Sequence, residues 1–217
     1  MSRRPPADPL LTMSAHRANR LPGGISRRRA LALIAAACVA AAVPARAASW
    51  DLDTLMRELA TRKAGRARFV ETKQLAMLYA PLESSGTLRF AAPDFLEIHT
   101  LKPKPQTVAV RGGQITIDAD GTSRQFSLAD HPEAAALIDG IRATLNGDIA
   151  SLQRVYTTSF GGHRRLWTLK LVPRLAAARA QVSEIDISGS GASVLSIVIE
   201  QADGDRSLMT IHEVSAR

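Results

Sequence analysis

From residue 67 onward the chain is built of short segments that alternate apolar and polar residues, each closed by turn-forming residues. In "SGTLRFAAP", Leu88 and Phe90 fall on one face and Thr87 and Arg89 on the other, before Pro93-Asp94 breaks the run. In "FLEIHTL", Leu96 and Ile98 oppose Glu97 and His99. Pro103 and Pro105 cannot donate ladder hydrogen bonds, so residues 102–105 read as a connection. "TVAV", "QITID" and "RQFSL" follow, separated by Gly112-Gly113 and Asp120-Gly121, pairs suited to tight hairpins. The pattern resumes in "VYTTSF", "LWTLKL", "SEIDIS", "SVLSIVIE" and "RSLMTIHEV", with a turn at Asp203-Gly204-Asp205. With "ARFVETKQL" as the first strand, this predicts about 10–11 antiparallel strands. A sheet of that length curls, and its apolar concave face must be covered.

Two helical patterns supply the cover. Leu52, Leu55, Met56 and Leu59 form one face of a helix expected over Asp51–Lys63, with acids at its start, bases at its end and Gly65 as its stop. Ala134, Leu137, Ile138, Ile141 and Leu145 form a stripe on a second helix over 131–145, entered through an Asp130/Glu133 capping pair around Pro132 and ended by Asn146-Gly147. Asp148 is placed to cap a further short helix through Leu152. The expected fold class is α+β: a curled antiparallel sheet covered by two or three helices.

Ahead of this domain, Arg27–Arg29 precede an apolar run, Ala30–Val43, of about 14 residues. That length lies within the ~7–15 of a signal-peptide core and short of the ~20 that span a bilayer. Ala45-Arg46-Ala47 puts small residues where a signal peptidase needs them, so residues 1–47 are expected to be a cleaved export signal and 48–217 a single domain. Ser26–Arg29 resembles a twin-arginine signal but Ala30 replaces the usual bulky residue, which leaves the general and twin-arginine routes both open. Cys38, the only cysteine, falls inside the apolar run.

The net charge of +8 belongs mostly to this segment, which holds eight arginines and one acid, Asp8. The remainder is nearly neutral, and nucleic-acid binding, which needs a persistent basic face, is not expected. His99, His131, His163 and His212 lie in different elements without metal-ligand spacing. "SGSGAS" lacks the spacing of a nucleophile turn, and "DADG" and "ADGDR" lack that of a calcium loop; all read as hairpin turns. Gly161–Arg165 reads as a solvated hairpin tip. No catalytic residue, metal site or cofactor is expected.

Three stretches carry a family resemblance: "RFVETKQL" after an N-terminal helix, "SSGTLRFAAPDFLEIHT" followed by "VAVRGGQITI", and "IRATLNGDIASLQRVYTTSF" followed by "LWTLKLVPR". Together they resemble the LolA-like periplasmic lipoprotein carriers, in a branch apart from the main carrier. The resemblance sharpens the expected fold to a strongly curved antiparallel sheet, an open half-barrel, closed by helices around a hydrophobic cavity. It implies that the cavity takes a lipid or lipoprotein acyl chain, loaded by an inner-membrane donor and emptied toward an outer-membrane acceptor. It implies a periplasmic, non-enzymatic carrier, expected to be a monomer. Alternation and resemblance together name the cavity candidates: Leu88, Phe90, Leu96, Ile98, Val108, Val110, Ile115, Ile117, Leu137, Ile138, Ile141, Trp167 and Leu169. The main carriers have a lid-latching arginine just before the proline of the strand-turn-strand motif; here Ala92 stands there. The alternative is an envelope sensor of the same fold that binds a protein partner.

Overall fold

The computed structural model describes residues 50–214. The export-signal features, with Arg27–Arg29, Cys38 and the Ala45–Ala47 site, lie outside them. The described residues belong to one compact unit, Ala48–Arg217.

Helix α1 (Leu52–Leu59) leads into strands β1 (Ala64–Gln74), β2 (Leu82–Ala91), β3 (Phe95–Lys102), β4 (Gln106–Arg111), β5 (Gln114–Ala119) and β6 (Thr122–Ser127). A 3-10 turn (Leu128–Asp130), helix α2 (Pro132–Asn146) and helix α3 (Ile149–Val155) then cross to β7 (Tyr156–His163) and β8 (Leu166–Pro173). A one-turn helix α4 (Ala176–Arg179) precedes β9 (Val182–Ser190), β10 (Ser193–Gln201) and β11 (Arg206–Glu213). All strands form one antiparallel sheet in the order β6-β5-β4-β3-β2-β1-β11-β10-β9-β8-β7. Two hairpin meanders thus meet at their outermost strands in sequence, β1 and β11, in register from Ala67–Glu213 to Gln74–Arg206.

The α1 boundary is shorter than helical periodicity predicts. Asp51 caps it by accepting the Thr54 N–H at 2.9 Å. Beyond Leu59 the chain tightens, with Thr61 and Arg62 donating three residues back, and β1 already begins at Ala64. Gly65 is therefore a strand residue, not a helix stop. At α2 the expected Asp130 cap is replaced: Asp130 ends the 3-10 turn, and His131 occupies the cap position without a side-chain cap bond. Gly147, with φ +68°, closes α2 in the left-handed conformation. "SGSGAS" is less loop than expected, because Ser188–Ser190 continue β9. The Gly161–Arg165 stretch is likewise strand as far as His163. Arg164 pairs with Glu58 of α1 through Nη2 at 2.6 Å and Nε at 3.1 Å.

Pair registers place Leu88, Phe90, Leu96, Ile98, Val108, Val110, Ile115, Ile117, Trp167 and Leu169 on the same, concave face. Its β7–β9 end is packed solid. Trp167, Leu169, Leu171, Tyr156, Ile185 and Ile187 meet Leu55, Met56 and Leu59 of α1 and Leu152 of α3 in one core. Trp167 is fully buried, donates its indole N–H to Gly191 O at 2.9 Å, and lies so close to Gly189 that a Cβ there would stand 2.2 Å from the ring.

Truncating Trp167→Ala is expected to lower unfolding free energy by about 3–5 kcal/mol, read as a lower urea midpoint. Asp148 accepts the Ser151 N–H at 2.9 Å and also the Ser151 hydroxyl, bonds that hold its carboxyl below the ordinary carboxylate value. Its depressed value means that this stabilisation is present above the unfolded-state pKa and is lost as pH falls through the folded one. Asp148→Ala should therefore cost about 1 kcal/mol at neutral pH. The gap to wild type should close on acidification below about pH 4, measured by urea titrations at several pH values.

Candidate functional site

A cavity of about 390 Å³ lies on the concave face beside the packed core. Its walls come from β1–β3, β9–β11 and α2. Small residues make the room: Ala67 and Gly65 on β1, Gly86 on β2 and Ser207 on β11 all occupy concave positions where the β8 and β7 counterparts are Trp167 and Tyr156. Gly86 is fixed by the sheet itself, since a Cβ would meet His99 O at 1.9 Å.

Six of the candidates named from sequence line this space: Leu88, Phe90, Leu96, Ile98, Leu137 and Ile141. Trp167 and Leu169 instead lie in the packed core, because α1 descends onto their end of the sheet. Val108, Val110, Ile115 and Ile117 extend the same face toward the β6 edge but do not line the cavity, and neither does Ile138 of α2. Sequence reasoning missed the other wall: Phe69, Ile185, Ile187, Ile197, Ile199, Met209 and Ile211. Their alternation is legible in the β9–β11 segments, but the pairing of β11 with β1 that brings them round is not.

Helix α2 is the movable-looking side of the enclosure, and its ties can be counted on side chains. The Arg142 guanidinium donates through Nη2 to Asp94 O at 2.7 Å and Gly112 O at 2.6 Å, the β2–β3 and β4–β5 turns. Asn146 donates to Pro93 O at 2.7 Å. Tyr156 donates to Ala136 O at 3.3 Å; burial, reinforced by the charge of Asp139, pushes its phenol up to about 12. Gly140 lets the helix rest on that ring, where a Cβ would stand 2.2 Å from Tyr156 Cε2. Ala92 offers no arginine at the turn, and Arg89 is engaged with Glu97 at 3.3 Å. The tie comes from the helix side instead, through Arg142.

The polar groups on the wall are few. Arg62 pairs with Glu213 and also donates to Ala192 O at 3.1 Å. Glu71 accepts hydroxyl bonds from Ser84 at 2.9 Å and Ser207 at 2.5 Å. Among the described residues no group of histidine, cysteine and carboxylate side chains could hold a metal ion. A second depression, of about 510 Å³, is lined by His99, Thr107, Asp118 and the Asp120-Gly121 turn. It is wide open to solvent and lies at the β4–β6 end of the sheet, away from the concave hollow.

Removing the Arg142 tie should loosen α2 while sparing the core. Each bond from a charged donor contributes ~1.5–3 kcal/mol, and 1.4 kcal/mol is tenfold. In Arg142→Met, amide hydrogen exchange across residues 132–146 is expected to speed up about tenfold or more, with β7–β9 unchanged, as read by mass spectrometry of peptic fragments.

The family described as outer membrane lipoprotein carrier protein LolA-like matches residues 42–214. No curated protein matches the chain. Among solved structures, a LolA superfamily protein of Nitrosomonas europaea aligns at 10% identity over 78% of this chain and 96% of its own, with a TM-score of 0.42. The lipoprotein LppX of Mycobacterium tuberculosis aligns at 9% identity over 76% and 97%, TM-score 0.41. The MucA/MucB complex of Pseudomonas aeruginosa aligns at 14% identity over 77% of this chain and 58% of that one, TM-score 0.41.

Proposed function

This chain belongs to the LolA-like family of outer membrane lipoprotein carriers, and on that premise we propose that it is a periplasmic carrier that shelters one acyl chain of a lipid or lipoprotein in its concave cavity. The observation that carries this reading is the hollow itself: a partly open, predominantly apolar space of about 390 Å³ beside a core packed solid. At ~30 Å³ for each water-sized group, it takes roughly one chain of a dozen carbons. Each buried methylene contributes about 0.8 kcal/mol, so such a chain represents on the order of 10 kcal/mol of gross hydrophobic free energy. An acyl chain crosses water with that penalty or inside a shelter.

The same arrangement suits release. The cavity is covered on one side by α2, which is held to the turns by Arg142 and Asn146 rather than by a strand ladder. The helix can shift without breaking the sheet. The chemistry proposed is binding and transfer, in keeping with a wall made mostly of apolar side chains. Export through residues 1–47, a monomeric state and membrane-bound donor and acceptor partners complete the proposal. No helix of the described residues is long and apolar enough to cross a membrane.

The test is native mass spectrometry of protein recovered from the periplasm of a Gram-negative host without detergent. A solvent-extractable lipid in about 1:1 ratio is the expected result, with the chain beginning at Ala48. Filling the hollow with Leu88→Trp should abolish that species and weaken binding of a fluorescent acyl probe at least tenfold, with unfolding still cooperative. A ligand-free wild-type protein that also ignores added acyl probes would overturn the carrier reading in favour of a partner-binding module.

A further inference from the structure

Two carboxylates, Glu71 and Glu213, stand on the concave wall of the cavity, and they are not equivalent. Glu213 pairs with Arg62, while Glu97 meets Arg89 on the opposite face of the sheet. Glu71 makes no ion pair among the described residues, although Lys73 follows it on the same face of β1; its two oxygens are each held by a serine hydroxyl, Oε2 by Ser84 and Oε1 by Ser207. The three residues come from three adjacent strands, β2, β1 and β11, and converge on the concave face. Around them the wall is mostly apolar: Phe69 precedes Glu71 on the same face of β1, Met209 is its direct partner on β11, and Ile199 faces Ser207, with Lys73 beyond Glu71 on the same face. Arg66, also on β1, lies in the opposite register and points its side chain to the convex face.

An ionised carboxyl group has about four acceptor positions and no donor. The serines fill two of them. What remains is acceptor capacity and a negative charge that no ion pair within the described residues neutralises, on a wall that is otherwise largely apolar. An alkyl chain has nothing to offer that group. A chain ending in a donor does, and a chain ending in an anion placed beside it is repelled. The serines also fix the direction in which the free lone pairs point, since rotation of Glu71 would break both bonds.

On the carrier reading above, we infer that Glu71, oriented by Ser84 and Ser207, selects the polar end of the cargo. It admits amphiphiles whose head group donates hydrogen bonds or carries positive charge, an ammonium or a hydroxyl, and disfavours carboxylate- or phosphate-headed chains. The cargo then has a defined orientation, with its head at the Glu71 side of the hollow and its tail along Leu88, Ile197 and Ile211.

The experiment uses delipidated full-length domain and displacement of a neutral apolar fluorophore by four C12 probes below their micelle concentrations: dodecylamine, dodecanol, dodecanoate and dodecyl phosphate. Wild type should bind dodecylamine at least tenfold more tightly than dodecanoate at neutral pH, with dodecanol between them. Glu71→Gln keeps both serine contacts, accepting one hydroxyl through its amide oxygen and donating its amide N–H to the other serine's oxygen, and should bring ammonium and carboxylate heads to within about threefold, leaving dodecanol nearly unchanged. Ser84→Ala, which keeps the charge but frees the side chain, should narrow the dodecanol advantage over dodecanoate while retaining part of the ammonium preference. Equal binding of all four probes by wild type, or a preference untouched by Glu71→Gln, overturns the head-group inference and leaves the carrier reading standing. Binding of none of the four, dodecanol included, overturns both.

Discussion

A single curled sheet has one apolar face too many for water, and everything else in this protein answers that constraint. Eleven strands supply the concave wall. The two segments outside the meanders, α1 before β1 and the crossing from the 3-10 turn through α3, supply the cover. The cover is fitted by contact, as the glycines record. Gly140 admits the Tyr156 ring, and Gly147 lies where any Cβ would stand 2.0 Å from Met56 O of α1. Helix α2 is thereby pinned at two points by close approach and at its turns by Arg142 and Asn146. Added bulk at either glycine would force α2 away from Tyr156 or from α1.

The two halves of the concave face differ in side-chain volume, and that difference divides scaffold from site. Trp167 and Tyr156 fill the β7–β9 half against α1 and α3. Across the sheet the corresponding positions hold Gly65, Ala67, Ser84 and Gly86, too small to reach α2. Interiors pack to crystal-like density, so a hollow of this size beside such a core marks a place where stability was not maximised. The convex face carries ordinary exposed charge chemistry. Lys170, held protonated by its bond to Glu184, also lies near Asp186, whose carboxyl is raised mainly by burial.

How far the sequence discloses this depends on what kind of information each residue carries. Alternation gives the face, and all ten strand candidates lie on the concave side. It gives no volume, which is why Trp167 and Leu169 read the same as Leu88 and Phe90 until α1 is placed above them. Long-range pairing is also silent: the β1–β11 ladder that brings Phe69 beside Ile211 leaves no local signature. A bulge between Val194 and Ser196 shifts the phase in β10, so that Val194 and Ile197 both face the hollow and simple alternation fails there. Helix ends were legible where chemistry is local, as at Asp51, Gly147 and Asp148. They were not where a following turn decides, as at Asp130 and Gly65. The LolA-like resemblance extended to the family and fold; the bonds from Arg142 to the β2–β3 and β4–β5 turns had no signal in the sequence.

The central ladder has a consequence for how the protein comes into being. Within each meander, neighbouring strands are joined by short turns, and such contacts form early. The floor of the hollow is different, since β1 and β11 are the longest-range strand pair in the sheet, and pairing of distant segments is slow because loop closure must precede it. Each meander can therefore exist as a hairpin stack with its oily face open, but the hollow cannot exist in part. During synthesis the hollow is the last feature to assemble, and until that final seam zips the chain exposes the apolar face that will line it.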